Sequence, residues 1–297
     1  MLIKLKIFRF DPEKDEKPYH KTYEVEADPM DRLLDCLNRI RWEQDPTLSY
    51  RWSCGHGICG SDGMRINGVC GLPCQKLARE YKEEVLIEPL PVFKVVKDLI
   101  VDLDPFFEKY NSIKPYLITK TPPPEQERSQ SAEQQGLLEK AIRCILCACC
   151  TAACPVNQNP ETAAYVGPAA LVRSFRYLFD SRDEGSEERI ALLDHKDGAW
   201  GCQTKWKCTE VCPKEIPVTK EIGQIKRCIY EAKHPKEYDR ELEISIAEDT
   251  SLEASLETSL VASTSDFIAT YGTGSFTGFG SCSVRTSCST FTGISEL

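Results

Sequence analysis

Two short runs of cysteine have the most specific residue spacing in this sequence. The first covers residues 144–155 and the second covers residues 202–213, and each ends in a Cys-Pro step. The first run follows C-x2-C-x2-C-x3-C-P, and the second keeps this register except that Lys205 replaces the second cysteine. This spacing is typical of bacterial ferredoxins, in which three thiolates of a run bind one iron–sulfur cluster and the fourth binds the other.

If each run gives its fourth cysteine to the cluster of the other run, the ligands form two sets. One set has four thiolates, enough for a [4Fe–4S] cluster: Cys144, Cys147, Cys150 and Cys212. The other set has three: Cys154, Cys202 and Cys208. Because the ammonium group of Lys205 cannot ligate iron, the sequence predicts a [3Fe–4S] cluster at the second set. A pair of structural zinc sites is the alternative, since zinc sites also use C-x2-C spacing. Zinc sites need neither the Cys-Pro steps nor the reciprocal pattern.

A third ligand pattern lies nearer the N-terminus. Cys54, Cys59, Asp62 and Cys74 follow the plant-type [2Fe–2S] spacing, with Asp62 at the position of the third cysteine. A carboxylate is an acceptable hard ligand for ferric iron, so the sequence predicts a [2Fe–2S] cluster. Cys70 is a rival third ligand, and Asp62 is favoured because it occupies the motif position.

Length and composition limit the other function classes. A chain of 297 residues with 41% hydrophobic residues is expected to form about two domains. Its sixteen cysteines cluster at ligand spacing, which favours metal binding over disulfides. The net charge of −9 argues against a nucleic-acid partner. The sequence predicts neither a signal peptide nor a membrane span, and therefore a protein made in a reducing compartment.

Hydrophobic periodicity predicts an N-terminal domain of strands and one helix. Residues 2–10, 22–26 and 84–88 alternate as half-buried strands, and residues 64–68 read as a strand followed by an Asn-Gly hairpin turn. Asp28-Pro29 is predicted to open a helix, with apolar residues at helical spacing: Leu33, Leu37 and Ile40. Together these elements indicate a small β-grasp domain.

The remaining chain is predicted to be helical, which gives an α+β fold overall. Helices are expected at residues 169–179, 187–193 and 217–233. The predicted boundaries are a β-grasp [2Fe–2S] domain, a Pro-rich connector, an all-α bacterial-ferredoxin-like domain, and a Ser/Thr/Gly-rich tail that is flexible or ordered by a partner: residues 1–105, 106–135, 136–245 and 246–297.

The combination of motifs resembles the iron–sulfur subunit of succinate dehydrogenase and fumarate reductase. The resemblance covers roughly residues 1–235, and these stretches carry it: residues 51–64, 144–150, 167–169, 180–183 and 212–214. It implies a subunit that relays single electrons from FAD on a flavoprotein partner through the [2Fe–2S], [4Fe–4S] and [3Fe–4S] clusters to quinone beside a membrane anchor. It also implies a peripheral position at the cytoplasmic face of a prokaryotic inner (plasma) membrane.

The resemblance leaves some alternatives open. The same relay could serve succinate oxidation, quinol:fumarate reduction, or, as a ferredoxin-like carrier, another flavin dehydrogenase. The family often has a Trp pair and a His at the quinone side, where this sequence has residues 156–159 and Gln203. The candidate residues of the quinone side are Pro155, Gln203, Lys205 and Trp206.

Overall fold

In the first strand of the sheet, β1 (Leu2–Arg9), apolar and polar residues alternate, so Ile3, Leu5 and Ile7 are buried on one face. Strand β2 (Tyr19–Glu26) pairs with β1 antiparallel. Three more strands complete the sheet: β3 (Met64–Ile66), β4 (Val69–Gly71) and β5 (Val85–Glu88). The strand order is β2-β1-β5-β3-β4, with β1 and β5 parallel and the other neighbours antiparallel. This computed structural model describes residues 1–235.

Helix α1 (Leu33–Arg39) packs in the same hydrophobic core as the sheet and continues into a π-helical turn, Ile40–Gln44. Its predicted inner residues are fully buried: Leu33, Leu37 and Ile40. The prediction that Asp28-Pro29 opens the helix is wrong. The Asp28 carboxylate accepts the Met30 N–H at 2.8 Å and closes a turn, whereas at the true start the Asp35 carboxylate accepts the Arg32 N–H at 2.9 Å.

The hairpin predicted at Asn67-Gly68 joins β3 and β4, and both residues have positive φ, 47° and 82°. Strands β6 (Val95–Lys97) and β7 (Ile100–Val101) form a small antiparallel pair. Helix α2 (Asp104–Ser112) follows. Short 3-10 turns lie at Pro73–Gln75 and Ala78–Glu80.

The C-terminal part is helical, as the sequence predicts. Its helices are α3 (Ala132–Ile142), α4 (Cys149–Ala152), α5 (Pro155–Gln158), α6 (Pro168–Leu178), α7 (Ser186–Leu193), α8 (Lys207–Glu210) and α9 (Val218–Lys233). Short 3-10 turns lie at Pro160–Thr162 and Ala199–Gly201. The three shortest helices, α4, α5 and α8, belong to the cysteine runs. The mixed α+β fold is confirmed.

Buried contacts of Arg189 hold the connector between the sheet and the helical part. Arg189 on α7 is 1% exposed and donates to the carbonyl oxygens of Ile113, Lys114 and Tyr116. Its guanidinium also pairs with the buried Asp183 carboxylate at 2.9 Å. This arrangement satisfies connector carbonyls that have no place in a helix or strand.

Residues 1–226 form one compact unit. Within this unit, one hydrophobic core contains residues of both the sheet and the helical part, including Ala148, Cys149 and Ala169. The predicted tail, residues 246–297, lies outside the described residues.

Candidate metal centres

The loop after Cys54 wraps its backbone around sulfur. The N–H groups of His56, Ile58 and Cys59 donate to Cys54 Sγ at 3.3, 3.4 and 3.3 Å, and these bonds lower the pKa of the Cys54 thiol to about 6. Gly55 and Gly57 have φ of 66° and 67°, a conformation that turns successive N–H groups inward. A thiol held this way is prepared to act as a thiolate ligand.

Asp62 lies beside Cys74 and is only 3% exposed. Its Oδ2 accepts the Cys74 N–H at 2.9 Å, while its Oδ1 is buried without a hydrogen-bond partner within residues 1–235. Burial, and then the neighbouring Asp62 carboxylate, raise the pKa of the Cys74 thiol to about 12. A buried carboxylate oxygen with no donor is costly unless it binds something, so this atom fits an iron ligand.

Cys70 has different neighbours from the loop thiols. It lies on β4 and is 5% exposed, and burial raises its pKa to about 11. The charges that act on Cys70 are those of Arg65 and Cys147. Asp62 stays the candidate for the fourth member of the group with Cys54, Cys59 and Cys74, and Cys70 stays its rival.

The first cysteine run and one cysteine of the second run line a single pocket. The pocket has about 390 Å³ of atom-free space, part of it open to solvent, and four thiols reach it: Cys144, Cys147, Cys150 and Cys212. Burial raises the pKa of Cys150 well above its ordinary value, and the charges of the other three thiols raise it further. Four converging thiols in an apolar pocket fit a cluster that they hold as thiolates.

Two residues of the first cysteine run that line this pocket have a left-handed backbone conformation. Leu146 and Ala148 adopt left-handed φ of 55° and 62°, which is uncommon for residues with a side chain. Ala169 and Val172 of α6 and Ile216 close the pocket with apolar side chains. These residues give the space that the four thiols share a largely apolar wall.

The three remaining predicted ligands are also neighbours. Burial raises the pKa of Cys208, and the charges of Cys154 and Cys202 add to the rise. The Thr204 N–H donates to Cys202 Sγ at 3.4 Å. Tyr165, 1% exposed, lies among all three thiols: burial raises its pKa, and the charge of each thiol raises it further. No spacing rule in the sequence marks Tyr165, which sequence reasoning missed.

Within residues 1–235, no three His, Cys, Asp or Glu side chains are arranged to hold one metal ion. A structural zinc site needs four such ligands around one ion.

The candidate quinone-side residues are solvent-exposed. Gln203, Lys205 and Trp206 lie in the loop before α8, and Trp206 is 51% exposed. Thr204 and Trp206 have positive φ of 55° and 63°. Pro155 is also exposed, at the first position of α5. In the part of the chain that the structure describes, no helix is both long and apolar enough to cross a bilayer.

The [2Fe–2S] loop and the first cysteine run touch through two glycines. A Cβ at Gly60 would lie 2.7 Å from the Ile145 carbonyl oxygen and 3.0 Å from Cys147 Cβ. A Cβ at Gly63 would lie 2.8 Å from the Cys147 carbonyl oxygen. The absence of side chains at these glycines lets the two candidate centres approach each other.

Comparison with known proteins identifies the two parts. Residues 4–108 match a 2Fe-2S iron-sulfur cluster binding domain, and residues 140–216 match a 4Fe-4S dicluster domain. The chain is 28% identical to a chain of the Mycobacterium smegmatis Sdh1 complex in the apo form, with a TM-score of 0.69 over 78% of this chain and 97% of that one.

Curated relatives match most of the chain. It is 39% identical to the succinate dehydrogenase iron-sulfur subunit of Coxiella burnetii, over 74% of this chain and 94% of that protein. It is 43% identical to the subunit of the same name from Paracoccus denitrificans, over 74% and 85%. It is 40% identical to the fumarate reductase iron-sulfur subunit of Haemophilus influenzae, over 76% and 92%. The chain belongs to the family of succinate dehydrogenase and fumarate reductase iron–sulfur subunits.

Proposed function

We propose that this chain is the electron-transfer subunit of a succinate:quinone oxidoreductase. It would take single electrons from FAD on a flavoprotein subunit and deliver them to quinone at a membrane-anchor interface. The observation that carries the proposal is the packing of the Cys54–Asp62 loop against the first cysteine run, because it places two candidate centres side by side within one compact unit.

Three ligand groups would hold the clusters. Cys54, Cys59, Asp62 and Cys74 would hold [2Fe–2S]. Cys144, Cys147, Cys150 and Cys212 would hold [4Fe–4S]. Cys154, Cys202 and Cys208 would hold [3Fe–4S], with Lys205 at the position without a ligand. When bound, the clusters supply one-electron redox chemistry.

The protein's own groups prepare each site. Backbone N–H groups around Cys54 favour its thiolate form, and the neighbouring Cys149 thiol lowers the pKa of Cys147. Ala169, Val172 and Ile216 give the first-run thiols apolar neighbours. Such hydrogen bonds and apolar burial set reduction potentials in iron–sulfur proteins.

The acceptor side is proposed at the exposed residues near the [3Fe–4S] group, Pro155, Gln203, Lys205 and Trp206. An exposed Trp is suited to a protein or membrane interface, because its ring is apolar and its N–H can still donate. The chain would be held by the anchor subunit at the cytoplasmic face of the inner (plasma) membrane of a prokaryote.

Purification of the native complex tests the proposal. We expect the chain to co-elute with a flavoprotein and a membrane anchor, and the complex to oxidise succinate with added quinone. A Cys147→Ser complex should lose quinone reduction while succinate still reduces a dye that accepts electrons directly from FAD. Elution of the chain alone, or quinone reduction that survives Cys147→Ser, would contradict the proposal.

The reverse direction is the second candidate function. Relatives named as fumarate reductase subunits match the chain at 40% identity, close to the 39% and 43% of those named as succinate dehydrogenase subunits. The same ligand groups serve both directions. Assay of fumarate reduction by added quinol in the same preparation distinguishes them by the ratio of the two rates.

A further inference from the structure

Arg173 is a buried cation whose hydrogen bonding is incomplete. It lies on α6, where 8% of it is exposed to solvent. Its Nε is buried and has no hydrogen-bond partner among residues 1–235. A guanidinium carries its charge at all accessible pH values, so burial without an acceptor is unfavourable unless an opposite charge lies nearby.

The position of Arg173 on α6 identifies where that opposite charge would be. Ala169, one helical turn before Arg173, and Val172, next to it, line the pocket of the four thiols. Burial raises the pKa of Cys144, and the Arg173 charge opposes this rise. On another side, the guanidinium carbon lies 5.7 Å from the centroid of the Tyr110 ring. The ring attracts the cation weakly. This attraction does not replace a negatively charged acceptor for the Nε–H.

A [4Fe–4S] cluster with four thiolate ligands is an anion, and its negative charge increases by one when it accepts an electron. A fixed cation beside it stabilises both states, and it stabilises the more negative reduced state more. In a pocket lined largely by apolar side chains, this difference is screened less than it is at the protein surface.

We infer that Arg173 is a positioning residue for electron transfer that raises the reduction potential of the [4Fe–4S] cluster in the pocket formed by Cys144, Cys147, Cys150 and Cys212. The inference rests on the proposed ligand set of that pocket. It assigns to Arg173, in addition to Lys214 in the pocket lining, a bias that makes the second cluster of the relay accept electrons more readily.

The test is a potentiometric EPR titration of the purified complex, at one pH and ionic strength, for four proteins. They are the wild type, Arg173→Met, Arg173→Lys and Arg176→Met. Arg176 is the matched control because it is on the same helix but is only half-buried, with its guanidinium carbon 5.3 Å from the centroid of the Tyr177 ring. Arg173→Met should lower the equilibrium constant for [4Fe–4S] reduction by about tenfold, which is about 59 mV for one electron. Arg173→Lys should keep most of the wild-type potential, and Arg176→Met should leave it unchanged.

The other clusters provide internal references. The [2Fe–2S] and [3Fe–4S] potentials should not follow the substitution at Arg173. An unchanged [4Fe–4S] potential in Arg173→Met, or an equal shift in Arg176→Met, would overturn the inference. Arg173→Met could lose the [4Fe–4S] signal altogether. In that case, retention of the signal in Arg173→Lys supports a requirement for positive charge, and loss of the signal in Arg173→Lys as well overturns the inference. A wild-type complex without a [4Fe–4S] signal would refute the ligand proposal, and the inference with it.

Discussion

The contact between the [2Fe–2S] loop and the first cysteine run predicts a specific cost for Gly60→Ala. Gly60 has φ of 69°, and an added Cβ would lie 2.7 Å from the Ile145 carbonyl oxygen and 3.0 Å from Cys147 Cβ. The nearest atom belongs to backbone that bears a predicted ligand, so it cannot move aside as a flexible side chain would. The substitution therefore forces the loop and the run apart.

Gly68→Ala is the matched control for backbone strain. Gly68 has φ of 82° in the β3–β4 turn, and an added Cβ there would meet nothing within 4 Å. Left-handed Ala costs about 1–2 kcal/mol at either position. Overpacking adds about 1–3 kcal/mol at Gly60 only. The expected loss of stability is therefore roughly 2–5 kcal/mol for Gly60→Ala and about 1–2 kcal/mol for Gly68→Ala.

Thermal melting of cluster-loaded protein at one scan rate measures the difference. At roughly 2–4 °C per kcal/mol, Gly60→Ala should melt about 2–12 °C below Gly68→Ala. Power-saturation EPR should also show a weaker magnetic interaction between the [2Fe–2S] and [4Fe–4S] clusters in Gly60→Ala alone. Equal melting temperatures together with equal interaction would refute the argument that the two centres are joined by close packing at this glycine.

Three further predictions concern buried charges and one ligand. Arg189→Met should destabilise the protein by about 3–5 kcal/mol, because the Asp183 carboxylate stays buried without its partner; an effect below about 1 kcal/mol in urea unfolding would contradict this. Burial raises the pKa of Glu221 from 4.5 to about 7, so its contribution to stability is fully present below the unfolded value and is lost as the pH rises through 7. Glu221→Gln should therefore raise the free energy of unfolding by up to about 3 kcal/mol at pH 8 and change it little at pH 5, and an equal change at both would contradict it. Asp62→Ala should abolish the [2Fe–2S] EPR signal while Cys70→Ser retains it, and the opposite pair of results would transfer the ligand role to Cys70.

Local patterns predicted the elements that short-range chemistry determines. The alternation of residues 2–10 predicted β1, and Asn67-Gly68 predicted the β3–β4 turn. Asp28-Pro29 forms a turn and not a helix start, because an Asp carboxylate can accept a backbone N–H in either structure. The crossing rule anticipated that Cys212 would lie in the pocket of the first run.

Features that depend on distant contacts could not be read from the sequence. Tyr165 is far in sequence from Cys202 and Cys208, and only the folded chain places it among the thiols. The apolar spacing of α6 predicted a buried face, but nothing in that spacing predicted that Arg173 would be buried with it. Likewise, the close approach of Gly60 to Cys147 joins two segments that no local rule connects.

The crossed ligand sets are the most direct test of the central claim, that these cysteines hold two adjacent clusters of an electron relay. EPR of Cys212→Ser and Cys154→Ser complexes, compared at equal protein loading, separates the two sites. Cys212→Ser should lose or alter the [4Fe–4S] signal of the reduced complex and keep the near-isotropic [3Fe–4S] signal of the oxidised complex, and Cys154→Ser should do the reverse. If each substitution instead damages only the cluster of its own run, the crossed sets are wrong, and Cys154 and Cys212 must exchange places.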